Sequence, residues 1–244
     1  MADWTRTTGD YLHGLADAIV PPVRRLSIPA VQRAEAAHGR DSIEVAEALD
    51  EAGTAYVHHG RWREAQTVWR RSLAIKESQY HPDPRDLALT LARLAHIVSD
   101  PTEAESFYRR SIAIYEDAPG PERLGLASAL NGLGHFLAGQ SRSQEAEPLL
   151  RRTVAIYERA PGRGRRRLLE PLIDLALVLL QQSRDVEAER FLRRASIIYE
   201  NAEGRGPYNR ALSLLINLLD RQSRGDEARL LAKGLRYDED GTSL

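Results

Sequence analysis

The 244-residue sequence contains no cysteine, which excludes a disulfide framework and any thiol chemistry. It has no run of about 18 apolar residues, so no transmembrane helix is predicted. Its first residues, MADWTRTTGDYLHG, lack the basic-then-apolar order of a secretory signal. From these absences we expect a cytoplasmic protein.

Lysine is also scarce: Lys76 and Lys233 are the only lysines among 34 basic residues, and the others are arginines. Arginine suits phosphate and RNA recognition, but 35 acidic residues are interspersed with the arginines and the net charge is -1. The chain therefore has no global positive field that would attract nucleic acid or an anionic membrane. The sequence predicts neither partner, and we attribute the arginine excess to a GC-rich bacterial genome.

Catalytic signatures are missing as well. The sequence has no G-x-S-x-G elbow, no P-loop, no H-E-x-x-H motif and no glycine-rich strand-to-helix turn. No β-strand is predicted, which argues against the usual α/β catalytic scaffolds. We therefore predict a protein that is not an enzyme and that needs no cofactor.

The sequence does contain five similar copies of one segment. The copies are REAQTVWRRSLAIKE (63–77), TEAESFYRRSIAIYE (102–116), QEAEPLLRRTVAIYE (144–158), VEAERFLRRASIIYE (186–200) and a faded DEARLLAKGLRYDE (226–239). Their shared alanines, spaced 39, 42, 42 and 40 residues apart, are Ala65, Ala104, Ala146, Ala188 and Ala228. A nearly fixed period of this size predicts an array of structural repeats.

Each copy is predicted to form an amphipathic helix, because its apolar residues recur at helical spacing. A first helix is predicted before each copy, over Val45–Val57, Asp86–Val98, Leu124–Leu137, Leu168–Leu180 and Asn209–Leu219. The first helices share a core leucine, at Leu49, Leu91, Leu130, Leu172 and Leu212. In four of them a small residue lies four positions after the leucine, at Gly53, Ala95, Gly134 and Ala176. A small residue there permits close helix packing.

Leu49, Gly53, Tyr56, Ala65 and Trp69 stand at the spacing of the tetratricopeptide-repeat signature. The phrase EAEPLLRRTVAIYE closely resembles the 42-residue repeats of kinesin light chain. This resemblance implies an all-α fold, a right-handed superhelical α-solenoid of about five helix pairs with a degenerate N-terminal capping repeat.

The expected organisation follows from this period. We expect a tail and capping helices over residues 1–43, with the helices at Gly9–Val20 and Pro29–Gly39. The repeat array is expected over 44–239, in repeats of about 44–84, 85–122, 123–165, 166–207 and 208–239, followed by a tail over 240–244. Residues 1–8 and 239–244 are expected to be disordered.

In the tetratricopeptide family the first helices line a concave groove that binds peptides. The family's groove positions, counted from each core leucine, imply these partner-binding candidates: Glu47, Asp50, Thr54, His58, His96, Ser128, Asn131, His135, Glu170, Gln181, Arg210, Asn217 and Arg221. Asn131 matches a position where kinesin light chain-type repeats often carry an asparagine that bonds the ligand backbone. Neither His96 nor His135 has a partner at metal-ligand spacing in the sequence, so no metal site is predicted.

Arginine pairs recur on the second helices, at Arg70-Arg71, Arg109-Arg110, Arg151-Arg152 and Arg193-Arg194. On three of these helices a glutamate lies four residues before an arginine, which is the favourable order for a helical ion pair. We therefore interpret the pairs as a solvated outer face and not as a track for RNA or phosphoinositides. Trp62 and Trp69 are predicted to pack in the core between the helices of a pair.

Three functional hypotheses follow. The first is a protein–protein interaction scaffold that holds a peptide or an extended partner segment in the groove. The second is a self-assembling array, a homodimer formed through the C-terminal repeat, because the apolar stretch from Leu212 to Leu219 has no clear polar capping helix after it. The third is the sensing half of a nucleic-acid-linked regulator, although the sequence offers no helix-turn-helix reader.

Overall fold

The computed structural model describes residues 28–79, 83–118, 124–160, 167–200 and 206–236, and the regular elements in these ranges are all helices. In chain order they are α1 (Ile28–His38), α2 (Ile43–His58), α3 (Trp62–Ser78), α4 (Pro84–Ile97), α5 (Pro101–Asp117), α6 (Leu124–Gly139), α7 (Ser143–Arg159), α8 (Leu169–Gln181), α9 (Asp185–Glu200), α10 (Gly206–Arg221) and α11 (Gly225–Arg236). The chain divides into two compact units, Met1–Leu133 and Gly134–Leu244, whose boundary falls inside α6.

The five predicted helix pairs are present as α2/α3, α4/α5, α6/α7, α8/α9 and α10/α11, with ends close to the predicted bounds. Helix α1 coincides with the second predicted capping helix. The expected helix at Gly9–Val20 and the expected disordered tails lie outside the described residues. Within each unit, helices pack on their neighbours along the chain, as in a solenoid.

Most pairs use the same tight turn between their two helices. The second residue after the first helix has positive φ, 69° at Gly60, 62° at Ser141, and 60° at Ser183 and Ser223. The next N–H then reaches back to a carbonyl of the first helix, as in the 2.9 Å bond from Arg184 N to a leucine oxygen, which closes the helix end.

The second pair has no such turn. Only Val98 and Ser99 separate α4 from Asp100, which caps α5. Asp100 Oδ1 accepts a hydrogen bond from the Thr102 N–H at 2.9 Å, and Pro101 occupies the first helical turn. The shortened connection explains why the interval between the first two copies is 39 residues.

In the first unit, the small residues of the first helices are required by packing. A Cβ added to Gly53 would lie 2.1 Å from Nε1 of Trp69, which is 1% exposed. A Cβ on Gly132 would lie 2.5 Å from a ring carbon of Tyr108. Both aromatic rings therefore lie directly on the backbone of a facing helix, and close packing depends on glycine at these points.

In the second unit, α8 is the most deeply buried helix. Its apolar residues Leu172, Ile173, Leu175 and Val178 are each at most 1% exposed. Gly134, within α6, serves the same purpose as Gly53, because an added Cβ would lie 2.7 Å from Cγ of Leu150 on α7.

The last pair differs from the prediction that its first helix leaves an uncovered apolar face. Helix α10 packs against both α9 and α11. Its residues Leu212, Leu215, Leu218 and Leu219 are at most 2% exposed. The reason is that α11, though faded in sequence, still forms an amphipathic helix that covers α10.

Candidate binding surface

The predicted partner-binding residues fall into three classes of exposure. The exposed ones are Glu47, His58, Gln181, Asn217 and Arg221. The half-buried ones are His96, Ser128, His135, Glu170 and Arg210. The buried ones are Asp50, Thr54 and Asn131, at 9%, 9% and 2% exposure. Only the first two classes present side chains to a partner without a change in the fold.

Asp50 belongs to a buried polar network in the first unit. Its Oδ2 accepts a hydrogen bond from Lys76 Nζ at 2.6 Å and another from Thr90 Oγ1 at 3.0 Å. The ammonium of Lys76 also donates to Thr90 Oγ1 at 2.9 Å, and Arg93 Nη1 lies 3.6 Å from Asp50 Oδ2. The network joins α2, α3 and α4, so Asp50 has a structural role between the first two repeats.

Thr54 and Trp69 complete this network through the backbone of Asp50. The hydroxyl of Thr54 and the indole N–H of Trp69 both donate to the Asp50 carbonyl, at 3.0 Å and 3.2 Å. The prediction that Trp69 lies in the core is confirmed. The same prediction for Trp62 is wrong: it is 39% exposed, because it is the first residue of α3 and lies at the end of the helix pair.

His96 contacts Tyr108 of the following helix, with 3.2 Å between Nδ1 and the phenolic oxygen. Burial raises the pKa of Tyr108 well above its usual value, so the phenol stays protonated near neutral pH. His96 thus borders the packing of α4 against α5 and is only half-buried.

The second unit brings together three of the predicted residues, His135, Glu170 and Arg210, around a fourth that was not predicted. His135 Nδ1 lies 3.1 Å from Oδ1 of Asp174, and Glu170 Oε2 lies 3.4 Å from Nη1 of Arg210. His135 therefore has a carboxylate partner one repeat away, although its spacing along the sequence predicts none. The family's groove positions do not include Asp174, because it lies two residues after the core Leu172.

Asp174 is the most unusual side chain of this cluster. It is 1% exposed, and among the described residues its Oδ2 has no hydrogen-bond partner. A buried carboxylate oxygen without a donor is costly, on the order of 1–3 kcal/mol or more. Such atoms in native proteins usually indicate an unseen water, ion or ligand group.

The electrostatic balance of the cluster acts on His135. Burial lowers the pKa of His135, but the negative charge of Asp174 and the hydrogen bond to it raise the pKa above its usual value of 6.5 overall. Arg210 opposes this rise, whereas Glu170 adds to it. His135 therefore binds a proton more readily than a free histidine does.

Two more predicted residues contact the turns of the second unit. Gln181 approaches the hydroxyl of Ser143 through its side-chain oxygen, and its Nε2 donates to the Ala138 carbonyl at 3.4 Å. Arg221 lies 3.6 Å from Asp185 at the start of α9. Both side chains are exposed, so these contacts leave them accessible to a partner.

The outer arginines are balanced by glutamates across neighbouring repeats. Arg151 bonds Glu147 on its own helix at 2.8 Å and Glu187 on α9 at 3.0 Å. Arg184, in the turn before α9, bonds the same two glutamates at 2.7 Å each, so four charges form a closed square. The arrangement recurs one repeat later, with Glu189, Arg193, Arg224 and Glu227.

The second arginine of a pair reaches backward to the preceding repeat. The contacts are Arg71–Glu35 at 2.7 Å, Arg110–Glu77 at 2.6 Å and Arg194–Glu158 at 2.5 Å. The interpretation of the arginine pairs as an ion-paired outer face agrees with these distances. Spacing within one helix predicts only the ion pairs of that helix and not those that link repeats.

Within the described ranges, no group of three or more histidine, aspartate or glutamate side chains is placed to hold a metal ion. In the same residues, no helix is both long enough and apolar enough to span a membrane.

Comparison with known proteins identifies the fold. A model of the tetratricopeptide repeat matches residues 83–159 and 126–201. BtubC (BKLC) from P. vanneervenii is a similar solved structure, with a TM-score of 0.73 and 17% identity over 100% of this chain and 95% of that one.

Two further solved structures are similar. A putative kinesin light chain from Podospora anserina, with nearly identical TPR-like repeats, has a TM-score of 0.65 and 18% identity over 78% of this chain and 92% of its own. PilF from Pseudomonas aeruginosa has a TM-score of 0.58 and 21% identity over 76% and 72%. At these identities the similarity concerns the fold alone, and no curated protein matches the sequence.

Proposed function

Because this chain is a tetratricopeptide-repeat protein with an all-α solenoid fold, we propose that it is a protein-interaction scaffold that binds a peptide or an extended partner segment along its first helices. The observation that carries the proposal is the polar cluster of His135, Glu170, Asp174 and Arg210. It contains a buried carboxylate whose second oxygen lacks a donor among the described residues. Polar groups of this kind on otherwise apolar helices favour ligand binding over packing alone.

We further propose that the protein is cytoplasmic and has no catalytic role. The scaffold function typical of tetratricopeptide repeats supports the second statement. The outer arginines contact glutamates, which disfavours the hypothesis of a nucleic-acid-linked regulator, since such binding needs cations that are available to phosphates.

The test is quantitative affinity capture of the full chain from its native host, followed by mass spectrometry. We expect a partner whose recovery falls strongly with His135→Ala and Glu170→Gln. Recovery should not change with His59→Ala, a substitution at an exposed histidine outside the cluster. Equal recovery with all three variants would contradict the proposed surface, and the capture of no specific protein would contradict the scaffold function.

Self-association through the C-terminal repeat is the second candidate function. Helix α10 is already covered, but Leu230 on α11 is 68% exposed and gives this pair an apolar residue on its outer side. Light scattering over a wide concentration range should then detect a dimer that Leu230→Glu abolishes. Val186→Glu, at a residue of α9 that is 74% exposed, is the matched control. A monomer at every concentration would reject this hypothesis.

A further inference from the structure

Two neighbouring interfaces of the first unit use different chemistry at equivalent positions. The contact of α2 and α3 with α4 is polar and is termed the polar interface. Lys76 Nζ donates to Asp50 Oδ2 at 2.6 Å, within the first helix pair. It also donates to Thr90 Oγ1 at 2.9 Å and to the Asp86 carbonyl at 3.3 Å, both on α4. Each of the three ammonium protons thus has an acceptor, and α4 supplies two of the three.

The contact of α5 with α6 is termed the aromatic interface. Tyr115 stands at the position of Lys76 one repeat later. Its ring lies on the backbone of α6, because a Cβ added to Gly125 would lie 2.5 Å from a ring carbon. Tyr108 lies in the same way on Gly132, where an added Cβ would also be 2.5 Å from the ring. The aromatic interface therefore requires glycine at two positions of α6.

Helix α4 does not fit in the place of α6. Its residues at the positions of Gly125 and Gly132 are Asp86 and Arg93. If α4 of a second molecule docked on α5, the Cβ atoms of these two residues would overlap the tyrosine rings. Carbon atoms pack at roughly 3.5–4.0 Å, so the helices would have to move apart and lose their contact.

Helix α6 is equally unsuited to the place of α4. It carries Ala129 at the position of Thr90. If α6 docked on α2 and α3, Lys76 would lose the hydroxyl that accepts one of its protons. Asp50 would lose the hydrogen bond from that hydroxyl, which is 3.0 Å long, and the guanidinium of Arg93, which lies 3.6 Å from its Oδ2. Buried polar groups left without such partners disfavour the exchange.

Apolar packing alone distinguishes the two helices poorly. The core leucine and the small residue after it are Leu91 and Ala95 on α4, and Leu130 and Gly134 on α6. Misassembly of equivalent elements is a characteristic failure of repeat proteins. We propose that the polar and aromatic interfaces together fix the order in which the helix pairs dock, and that they reject a wrong neighbour from the same chain or from a second copy. This role does not depend on what the array binds.

The experiment gives the polar interface the second-helix side of the aromatic one. Asp50→Ala with Lys76→Tyr places on α2 and α3 the residues found one repeat later, at Ala92 and Tyr115. In this double variant α6 fits α2 and α3, whereas Asp86 of α4 meets the new ring. Addition of Asp86→Gly and Thr90→Ala then lets α4 fit again.

Docking order is measured by cross-linking, since the chain has no cysteine of its own. Glu77 on α3 pairs with Arg110 on α5 at 2.6 Å, so Glu77→Cys with Arg110→Cys reports the native neighbour. Arg152 stands at the position of Arg110 on α7, so Glu77→Cys with Arg152→Cys reports the wrong neighbour. Each full-length chain is refolded from urea and treated with a short bis-maleimide. The control is Leu73→Ala, which weakens the buried core of α3 and leaves both interfaces unchanged.

We expect the wrong-neighbour link to rise roughly tenfold over the wild type in the double variant, and to stay at the wild-type level in Leu73→Ala. The native link should fall in the double variant and return in the fourfold one. A wrong-neighbour link that does not rise, or that rises equally in Leu73→Ala, would overturn the proposal. If the double variant does not fold, urea unfolding of Lys76→Tyr decides the matter. Asp86→Gly should raise the midpoint of that chain and lower or leave unchanged the midpoint of the wild type, and a fall in both would overturn the proposal.

Discussion

The buried ion pair between Lys76 and Asp50 gives the sharpest stability prediction. The ammonium and carboxylate are 2.6 Å apart, and their side chains are 2% and 12% exposed, so both charges have left water. In the next three repeats this position of the second helix carries a tyrosine, as at Tyr157. Lys76→Met keeps the length and apolar stem of the side chain but leaves Asp50 without its closest cation.

The magnitude follows from what remains around Asp50. Removal of one partner from a buried pair costs about 3–5 kcal/mol. Arg93 at 3.6 Å and the Thr90 hydroxyl at 3.0 Å still stabilise part of the charge. We therefore expect Lys76→Met to lower the local free energy of unfolding by about 3 kcal/mol. Lys76→Met combined with Asp50→Leu should recover most of this loss, because no buried charge is then left alone.

The assay uses Trp69, whose indole N–H bonds the Asp50 carbonyl and whose fluorescence therefore reports on this helix pair. Urea unfolding followed by fluorescence measures the local transition, and circular dichroism measures the whole array, since repeat proteins do not always unfold in one step. The control is Arg229→Met, at a side chain that is 78% exposed. A loss below about 1 kcal/mol for Lys76→Met, or a double variant worse than the single one, would refute the reasoning.

Three further predictions concern packing, salt and pH. Gly53→Ala should destabilise the chain by several kcal/mol in urea unfolding, because its methyl group would overlap an indole ring. The methyl group of Gly139→Ala meets no atom within 4 Å, so this substitution should stabilise α6 by about 0.5–1 kcal/mol. Arg224→Met should speed amide hydrogen exchange in α11 at about 0.1 M salt but much less at about 1 M, where the Debye length falls to about 3 Å; equal effects would contradict an electrostatic role. His135 has a raised folded-state pKa through Asp174, so the stability it contributes is present below about pH 6.5 and is lost as pH rises through the folded value. The unfolding free energy of wild type relative to His135→Gln should therefore be larger at about pH 5.5 than at about pH 8.5, and a constant difference would contradict the pairing.

The positions that the repeat period aligned were predicted well. Leu49, Gly53 and Trp69 recur in register with a known signature, and their burial follows from helical spacing alone. The prediction failed where a residue departs from its repeat. Trp62 was assigned to the core by analogy, yet its place at the first turn of α3 leaves it 39% exposed.

The polar residues were harder to assign because their partners are distant in sequence. Asp50 meets Thr90 across 40 residues, and His135 meets Asp174 across 39. Both separations are close to the length of one repeat. Polar residues that lie one repeat apart on first helices are therefore candidates for contact, and this signal is present in the sequence. The repeat period does not predict which side chain of such a pair is buried, since burial depends on how closely the helices approach each other at that point.

The sequence by itself determined the architecture of this protein. Apolar spacing makes each segment a helix, and a period near 42 residues requires each pair to bury its face against the next. Only the tertiary structure decided that Asp50 is a structural residue and that Asp174 belongs to the candidate binding cluster. The physical reason is that the burial and hydrogen bonding of these residues depend on contacts between helices of two or three repeats. The sequence of a single repeat does not specify those contacts.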